Sequence, residues 1–265
     1  MYRERTFIEY LEDLRNRMLR ISAAIGLITA VCMTFGVSFF NFHGYKIPLL
    51  HPDPLNNLAI QVILALKQNL LPPGVNLIQI TPFAAFSTQI TVAAMLGIIL
   101  VMPIIVRELA AFIGPGLYQR EKAIIRKFSA YALGLFAGGC LFSYFVVIPY
   151  VLDFLYRYGQ SIGVSTFFDI GKFIPFVMQF VVIFGLSYQF PIIMWASTVS
   201  GMVEYSFWRH KLKYAVIIIV IFGAVVSPDG SGITMWFAAG PMLLLYLLGM
   251  FVIENKRKSL WQHMG

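Results

Sequence analysis

The sequence predicts an all-α integral membrane protein: six transmembrane helices with both termini on the cytoplasmic side. Three observations predict it. Of 265 residues, 59% are hydrophobic and 12% are charged, with a mean hydropathy of +0.78; soluble domains carry about 25% charged residues. Six apolar stretches approach the length of about 20 residues that a helix needs to cross the hydrocarbon core. Lys and Arg collect in alternate connecting segments, the pattern that sets orientation in a bilayer.

The first span is expected over Met18–Phe40, preceded by an amphipathic helix. In TFIEYLEDLRNRML, residues Phe7, Tyr10, Leu11, Leu14 and Met18 recur at three- and four-residue spacing and share one face. Thr6 can cap this helix with Glu9 as its box partner, and Asp13 and Arg17 stand at i, i+4, where opposite charges pair. A long outer segment, about 41–82, holds six of the thirteen prolines. Within it LNNLAIQVILALKQNLL reads as an interfacial helix. The second span is Phe83–Val106, with Pro103 expected to kink it. The third is Phe128–Tyr150, followed by a second outer segment broken at Gly159, Gly163 and Gly171. The fourth is Phe173–Val199, interrupted by Pro175 and Pro191. The fifth, Tyr214–Ser227, has 14 residues and rises about 21 Å against a core of about 30 Å, so it thins the bilayer or is shielded by protein. The sixth is Ile233–Ile253. No soluble domain separates from these spans, so residues 1–265 read as a single membrane domain.

Five basic residues lie in the N-terminal tail (Arg3, Arg5, Arg15, Arg17, Arg20) and five in the second connection (Arg107, Arg120, Lys122, Arg126, Lys127). Three more lie in the fourth connection and three in the C-terminal tail. The opposite side holds four: Lys46, Lys67, Arg157 and Lys172. This bias accounts for the net charge of +8 without nucleic acid. The charged first 20 residues and the long apolar run after them do not fit a cleavable signal peptide.

Cys32 and Cys140 fall inside apolar stretches and read as small hydrophobes; His43 and His51 share a Pro-rich loop without metal-site spacing. No nucleotide loop, paired-carboxylate motif or nucleophile–base pair appears, so neither enzyme nor cofactor chemistry is expected. The deep parts of the spans contain no ionisable residue of the kind that proton relays use. A small-molecule secondary transporter would need a midplane polar site and internal repeats. A passive assembly scaffold would use the motifs for helix packing alone.

AFIGPGLYQREK, residues 111–122, is a polar island between apolar stretches. Pro115-Gly116 ends the preceding helix, and Glu121 falls in the first turn of the next. There the helix dipole favours a carboxylate, which is a capping role. A carboxylate at a membrane surface ringed by apolar residues can also hold a guanidinium by two parallel hydrogen bonds.

LEDLRNRM at 11–18, AFIGPGLYQREK at 111–122, FSYFVVIPYVLDFL at 142–155, FGLSYQFPI at 184–192 and VVSPDG at 225–230 resemble, in order, the motifs of TatC. TatC is the multi-span core subunit of the twin-arginine (Sec-independent) protein translocase, and the resemblance covers nearly the whole chain. It implies a concave, glove-like arrangement of the six helices with short fifth and sixth members. It implies binding of twin-arginine signal peptides of folded cargo, export driven by the proton-motive force, TatA/TatB-type single-span partners and homo-oligomers in the plasma membrane of a prokaryote. By the same resemblance Glu121 receives the cargo's arginines. Asp13 stands where the family usually has a second glutamate, and Arg15, Phe112 and Leu117 belong to the signal-peptide site. Pro72, Pro103, Pro115 and Asp229 match structural or translocation motif positions. Gln189 lies where the fourth span often carries a groove-facing glutamate, and Leu247 lies near an absent glutamate of the last span.

Overall fold

The computed structural model of the chain describes residues 7–42, 45–71, 75–113, 122–163, 167–199, 203–226 and 232–262. It is mostly helical, and among the described residues five helical stretches are long and apolar enough to cross a membrane. They are Leu11–Thr34, Ala84–Leu109, Ser129–Ser161, Ile170–Thr198 and Gly232–Glu254. A shorter apolar helix at Leu212–Val225 falls where the short fifth span is expected. The chain forms two compact units, Met1–Tyr118 with Gly159–Gln179, and Gln119–Tyr158 with Phe180–Gly265.

In the first unit, α1 (Phe7–Thr34) is one uninterrupted helix, so the amphipathic segment and the first span are continuous. It ends six residues earlier than the apolar run suggests. Beyond Thr34 the chain forms an antiparallel hairpin of β1 (Phe35–Phe42) and β2 (Tyr45–Pro52). FGVSFFNF is apolar enough to extend a hydropathy window, but its aromatic and β-branched residues favour a strand. Helix α2 (Leu58–Leu70) is the helix expected in the outer segment. Asn57, fully buried, caps it by accepting from Ile60 N at 3.1 Å and donates to Met33 O at 2.7 Å and Pro54 O at 3.0 Å. One amide thus starts α2 and ties it to the end of α1. Gln61 donates to Val37 O at 3.0 Å and fixes the hairpin to the same helix.

Helix α3 (Ala84–Ile113) runs back antiparallel to α1, placing residue 97 beside 25–29 and residue 108 beside 17. A Cβ on Gly97 would stand 2.6 Å from Thr29 Oγ1 and 3.1 Å from Ile25 O, so only glycine permits this approach. Close backbone approach is what holds helices together in lipid, where burial of apolar area no longer discriminates. A short parallel pair, β3 (Leu77–Ile78) with β4 (Phe168–Asp169), completes the unit.

In the second unit, α4 (Lys122–Phe142) passes through a π-helical turn, Ser143–Val147, into α5 (Ile148–Ser161). Pro149 supplies the reason. It has no N–H for Phe145 O, and the wider turn, with Ile148 N bonded to Ser143 O, shifts the ladder by one residue. Helix α6 (Ile170–Ser187), which begins in the first unit and passes into the second after Gln179, runs through Pro175 without a break, contrary to the expectation from its sequence. Pro175 sits early enough that the residue opposite its ring, Gly171, lies in the first turn. The break comes instead at Tyr188–Gln189, ahead of Pro191, and α7 (Phe190–Val199) follows. Then come α8 (Tyr205–His210), α9 (Leu212–Val226, 15 residues) and α10 (Gly232–Gln262, 31 residues). The fifth apolar helix is short as expected. The sixth is not, because ENKRKS carries charge but no helix breaker, and the helix continues through it. Met194, Ile219, Ala239, Met242, Tyr246 and Ile253 form a core of α7, α9 and α10. Tyr246 OH donates to Trp208 O at 2.8 Å and holds α8 against α10.

Candidate functional site

The amphipathic start of α1 brings charges to the end of α3. Arg17 is the centre. Its Nη1 donates to Glu108 Oε2 at 2.8 Å and to the Glu108 carbonyl at 3.2 Å. Its Nε lies 3.1 Å from Asp13 Oδ1, the i, i+4 pairing read from the sequence. The side chains of Arg17 and Glu108 are 17% and 10% exposed, against 28% for Asp13, so the network is driest at Glu108 and opens to solvent at Asp13. Arg20 reaches within 3.9 Å of Glu108 Oε2 from the exposed side.

Glu108 is the residue that sequence reasoning missed. It lies two residues past the expected end of the second span, among basic neighbours, where a carboxylate reads as solvated. In the structure it stands at i+11 and i+7 from the buried Gly97 and Val101, on the same face of α3, and that face is defined only once α1 packs against it.

Of the other expected site residues, Arg15 points into solvent, 4.0 Å from Glu12 and 69% exposed. Phe112 lies in the last turn of α3, and Pro103 sits inside that helix. Glu121, Leu117, Pro115, Pro72 and Asp229 lie outside the described residues. Leu247 is an exposed residue of α10. Among the described residues no group of three or more His, Cys, Asp or Glu is arranged to hold a metal ion.

Gln189 occupies the break between α6 and α7, buried at 8% exposure. Its Nε2 donates to Ala132 O of α4 at 3.0 Å. The break places the amide there: Gln189 N turns back to Leu186 O, and Ile193 N re-enters the ladder at Gln189 O. Nearby, Gly139 and Gly185 let α4 and α6 close together, and the Phe142 ring lies 5.9 Å from Tyr188. The arrangement is a satisfied polar contact between helices within an apolar unit.

The chain as a whole is similar to known proteins. The family model described as Sec-independent protein translocase protein (TatC) matches residues 9–241. The Sec-independent protein translocase protein TatC of Cenarchaeum symbiosum (strain A) is 48% identical over 256 residues, covering 97% of each chain. TatC of Aquifex aeolicus (strain VF5) is 31% identical over 248 residues, covering 92% of each. A crystal structure described as the twin arginine translocase receptor TatC superposes with a TM-score of 0.78 at 25% identity, over 93% of this chain and 99% of that one. With its five long apolar helices this is a multi-pass membrane protein, and the chain belongs to the TatC family of Sec-independent protein translocase proteins.

Proposed function

We propose that this protein is the signal-peptide receptor and core subunit of a twin-arginine translocase, exporting folded proteins across a prokaryotic plasma membrane with the proton-motive force. Family membership supports the transport class over a small-molecule carrier or a passive scaffold. The observation that carries the receptor reading is Asp13: a carboxylate held on an amphipathic helix, anchored on one side by Arg17 and open to solvent on the other. Two charged hydrogen bonds to a guanidinium are the recognition such a group offers.

In this reading Glu121 and Asp13 receive the cargo's arginines, with Arg15, Phe112 and Leu117 lining the signal-peptide site. The peptide's apolar stretch then lies along the spans. Gln189 offers a polar contact to that stretch or to a partner helix, and Pro72, Pro103, Pro115 and Asp229 shape the translocation path. Six spans place both termini in the cytoplasm, with α9 as the short fifth crossing. TatA/TatB-type single-span subunits and further copies of this chain complete the complex. All 265 residues act as one membrane domain in this function.

Photocrosslinking tests the reading. Probes at Asp13 and Glu121 should capture a twin-arginine peptide and not its twin-lysine control. Equal capture of both peptides, or of neither, would discard the receptor assignment.

A further inference from the structure

We propose that the cavity between α7, α8, α9 and α10 is a binding site for an anionic phospholipid: its apolar walls take the upper part of an acyl chain, and Lys211 at its mouth takes the phosphate. The cavity measures about 420 Å³, within the range of pockets that hold small ligands. It lies wholly in the second unit. Neither Asp13 nor Glu121 takes part in it, so the site stands or falls independently of the receptor reading.

Phe190 of α7 and Ala215, Ile218 and Ile219 of α9 give the cavity its apolar lining. Two of its aromatic rings, Trp208 and Tyr246, have their donors engaged within the protein. Trp208 Nε1 donates to Thr198 Oγ1 at 3.0 Å, and Tyr246 OH donates to Trp208 O at 2.8 Å. Those residues therefore offer the cavity ring surface and not hydrogen-bond donors. Lys211, an exposed residue, is the cation of the lining. An occupant that matches both parts has an apolar body and a negative end.

The order of residues along the chain sets the depth. Lys211 precedes α9, and Ile218 lies seven residues further on, two turns or about 10 Å along the helix. Lys211 and Lys213 hold their ammonium groups 5.2 Å and 5.0 Å from the centroid of the Tyr214 ring. Trp and Tyr rings gather at headgroup level, and lysines at helix ends reach up to it. A phosphate at this mouth therefore stands at its normal depth while its acyl chain runs down α9.

Charge selects the headgroup. Arg209, Lys211 and Lys213 fall within five residues, and Glu204 stands at the opposite end of α8, where its carboxylate accepts from Ser206 Oγ at 2.9 Å. Basic pockets between membrane helices hold anionic headgroups in this way. A zwitterionic lipid would fit the same walls but would bring its own cation to the lysines. An uncharged helix would fill the walls and leave the ammonium groups unanswered.

Native mass spectrometry of the full chain, released from nanodiscs of phosphatidylcholine and phosphatidylglycerol, measures which lipid stays bound. Phosphatidylglycerol should be retained over phosphatidylcholine at equal supply. Lys211→Gln should lower its retention roughly three- to tenfold, the scale of one ammonium at an anionic surface. Lys211→Arg should keep it. Lys67→Gln, which removes the same charge from an exposed position of α2, should leave retention unchanged. Ile218→Trp, at an exposed residue, fills the walls and should displace the lipid with Lys211 still in place. Equal retention of the two lipids, or equal losses for Lys211→Gln and Lys67→Gln, would overturn the site. So would retention unaffected by Ile218→Trp, or displacement of the lipid by tail-free glycerophosphate at equal concentration, since the walls would then contribute nothing. Capture of a single-span partner instead of lipid by a photoreactive residue placed at position 218 would assign the cavity to a protein and overturn it as well.

Discussion

Arg17 Nη1 and Glu108 Oε2 are 2.8 Å apart across 91 residues of sequence, and their bond fastens the amphipathic start of α1 to the end of α3. Lower down, Gly97 brings the same two helices close at the Ile25 carbonyl and the Thr29 hydroxyl. One contact is polar and near the helix ends, the other is steric and inside the spans. Together they fix both the separation and the register of α1 on α3, and therefore where Asp13 stands.

Removing Arg17 should expose the cost of that bond. Arg17→Ala leaves Glu108, 10% exposed, as a carboxylate without its hydrogen-bonded cation. The expected loss of stability is roughly 2–4 kcal/mol, below or near the range for breaking buried pairs because one side of the network meets water. Thermal unfolding in detergent measures it. A midpoint equal to that of the unaltered protein would show that the pair contributes nothing to holding α1.

At the receptor, Glu121→Gln should weaken twin-arginine peptide binding by more than tenfold, since a charge-assisted fork becomes a neutral contact. Membrane insertion should be unaffected. Asp13→Asn should cost less, and Asp13→Glu should bind at least as well as the unaltered chain if arm length limits Asp13. Peptide titration on membranes of each variant gives the ranking; a twin-lysine peptide that loses as much as the twin-arginine peptide would argue against guanidinium recognition.

Much of this was legible in the sequence. The apolar runs marked the long helices, Asp13–Arg17 followed from i, i+4 spacing, and five motifs in register gave the family. What was not legible depended on partners distant in sequence or on local geometry that hydropathy ignores. Glu108 acquires its meaning only when α3 lies against α1. The end of α1 at Thr34 reflects a change of backbone preference within an unbroken apolar run. Pro175 and Pro191 look alike in sequence, yet α6 runs through the first, near its start, and ends ahead of the second, while α3 and α10 run through Pro103 and Pro241 in their interiors, so proline alone does not mark where a span breaks. The π turn before Pro149 is a third outcome for the same residue type.

Two adjacent glycines in α4 offer a controlled test of close packing. A Cβ on Gly139 would stand 2.6 Å from Phe184 O, whereas a Cβ on Gly138 meets nothing within 4 Å among the described residues. Gly139→Ala must push α6 away from α4, at about 1–3 kcal/mol for overpacking. Gly138→Ala should be neutral or slightly stabilising, since alanine is the better helix former. Unfolding midpoints of the two variants should therefore move in different directions or by clearly different amounts, and equal shifts would remove the packing explanation.

Gln189 donates its Nε2 to the Ala132 carbonyl, an oxygen that can only accept. Gln189→Leu removes the donor and puts an apolar side chain of similar size in a dry site. The loss should be modest, about 0.6–2 kcal/mol, the range for interhelical polar contacts in lipid. Gln189→Glu is the more informative change, because it replaces the donor by a group that, when ionised, can only accept. Facing Ala132 O, an ionised carboxylate would oppose an acceptor with an acceptor and lose its hydration as well. It should therefore destabilise more than leucine does. If unfolding shows glutamate to be better tolerated than leucine, the amide is not serving as a donor to α4, and its role lies with a partner helix or the peptide instead.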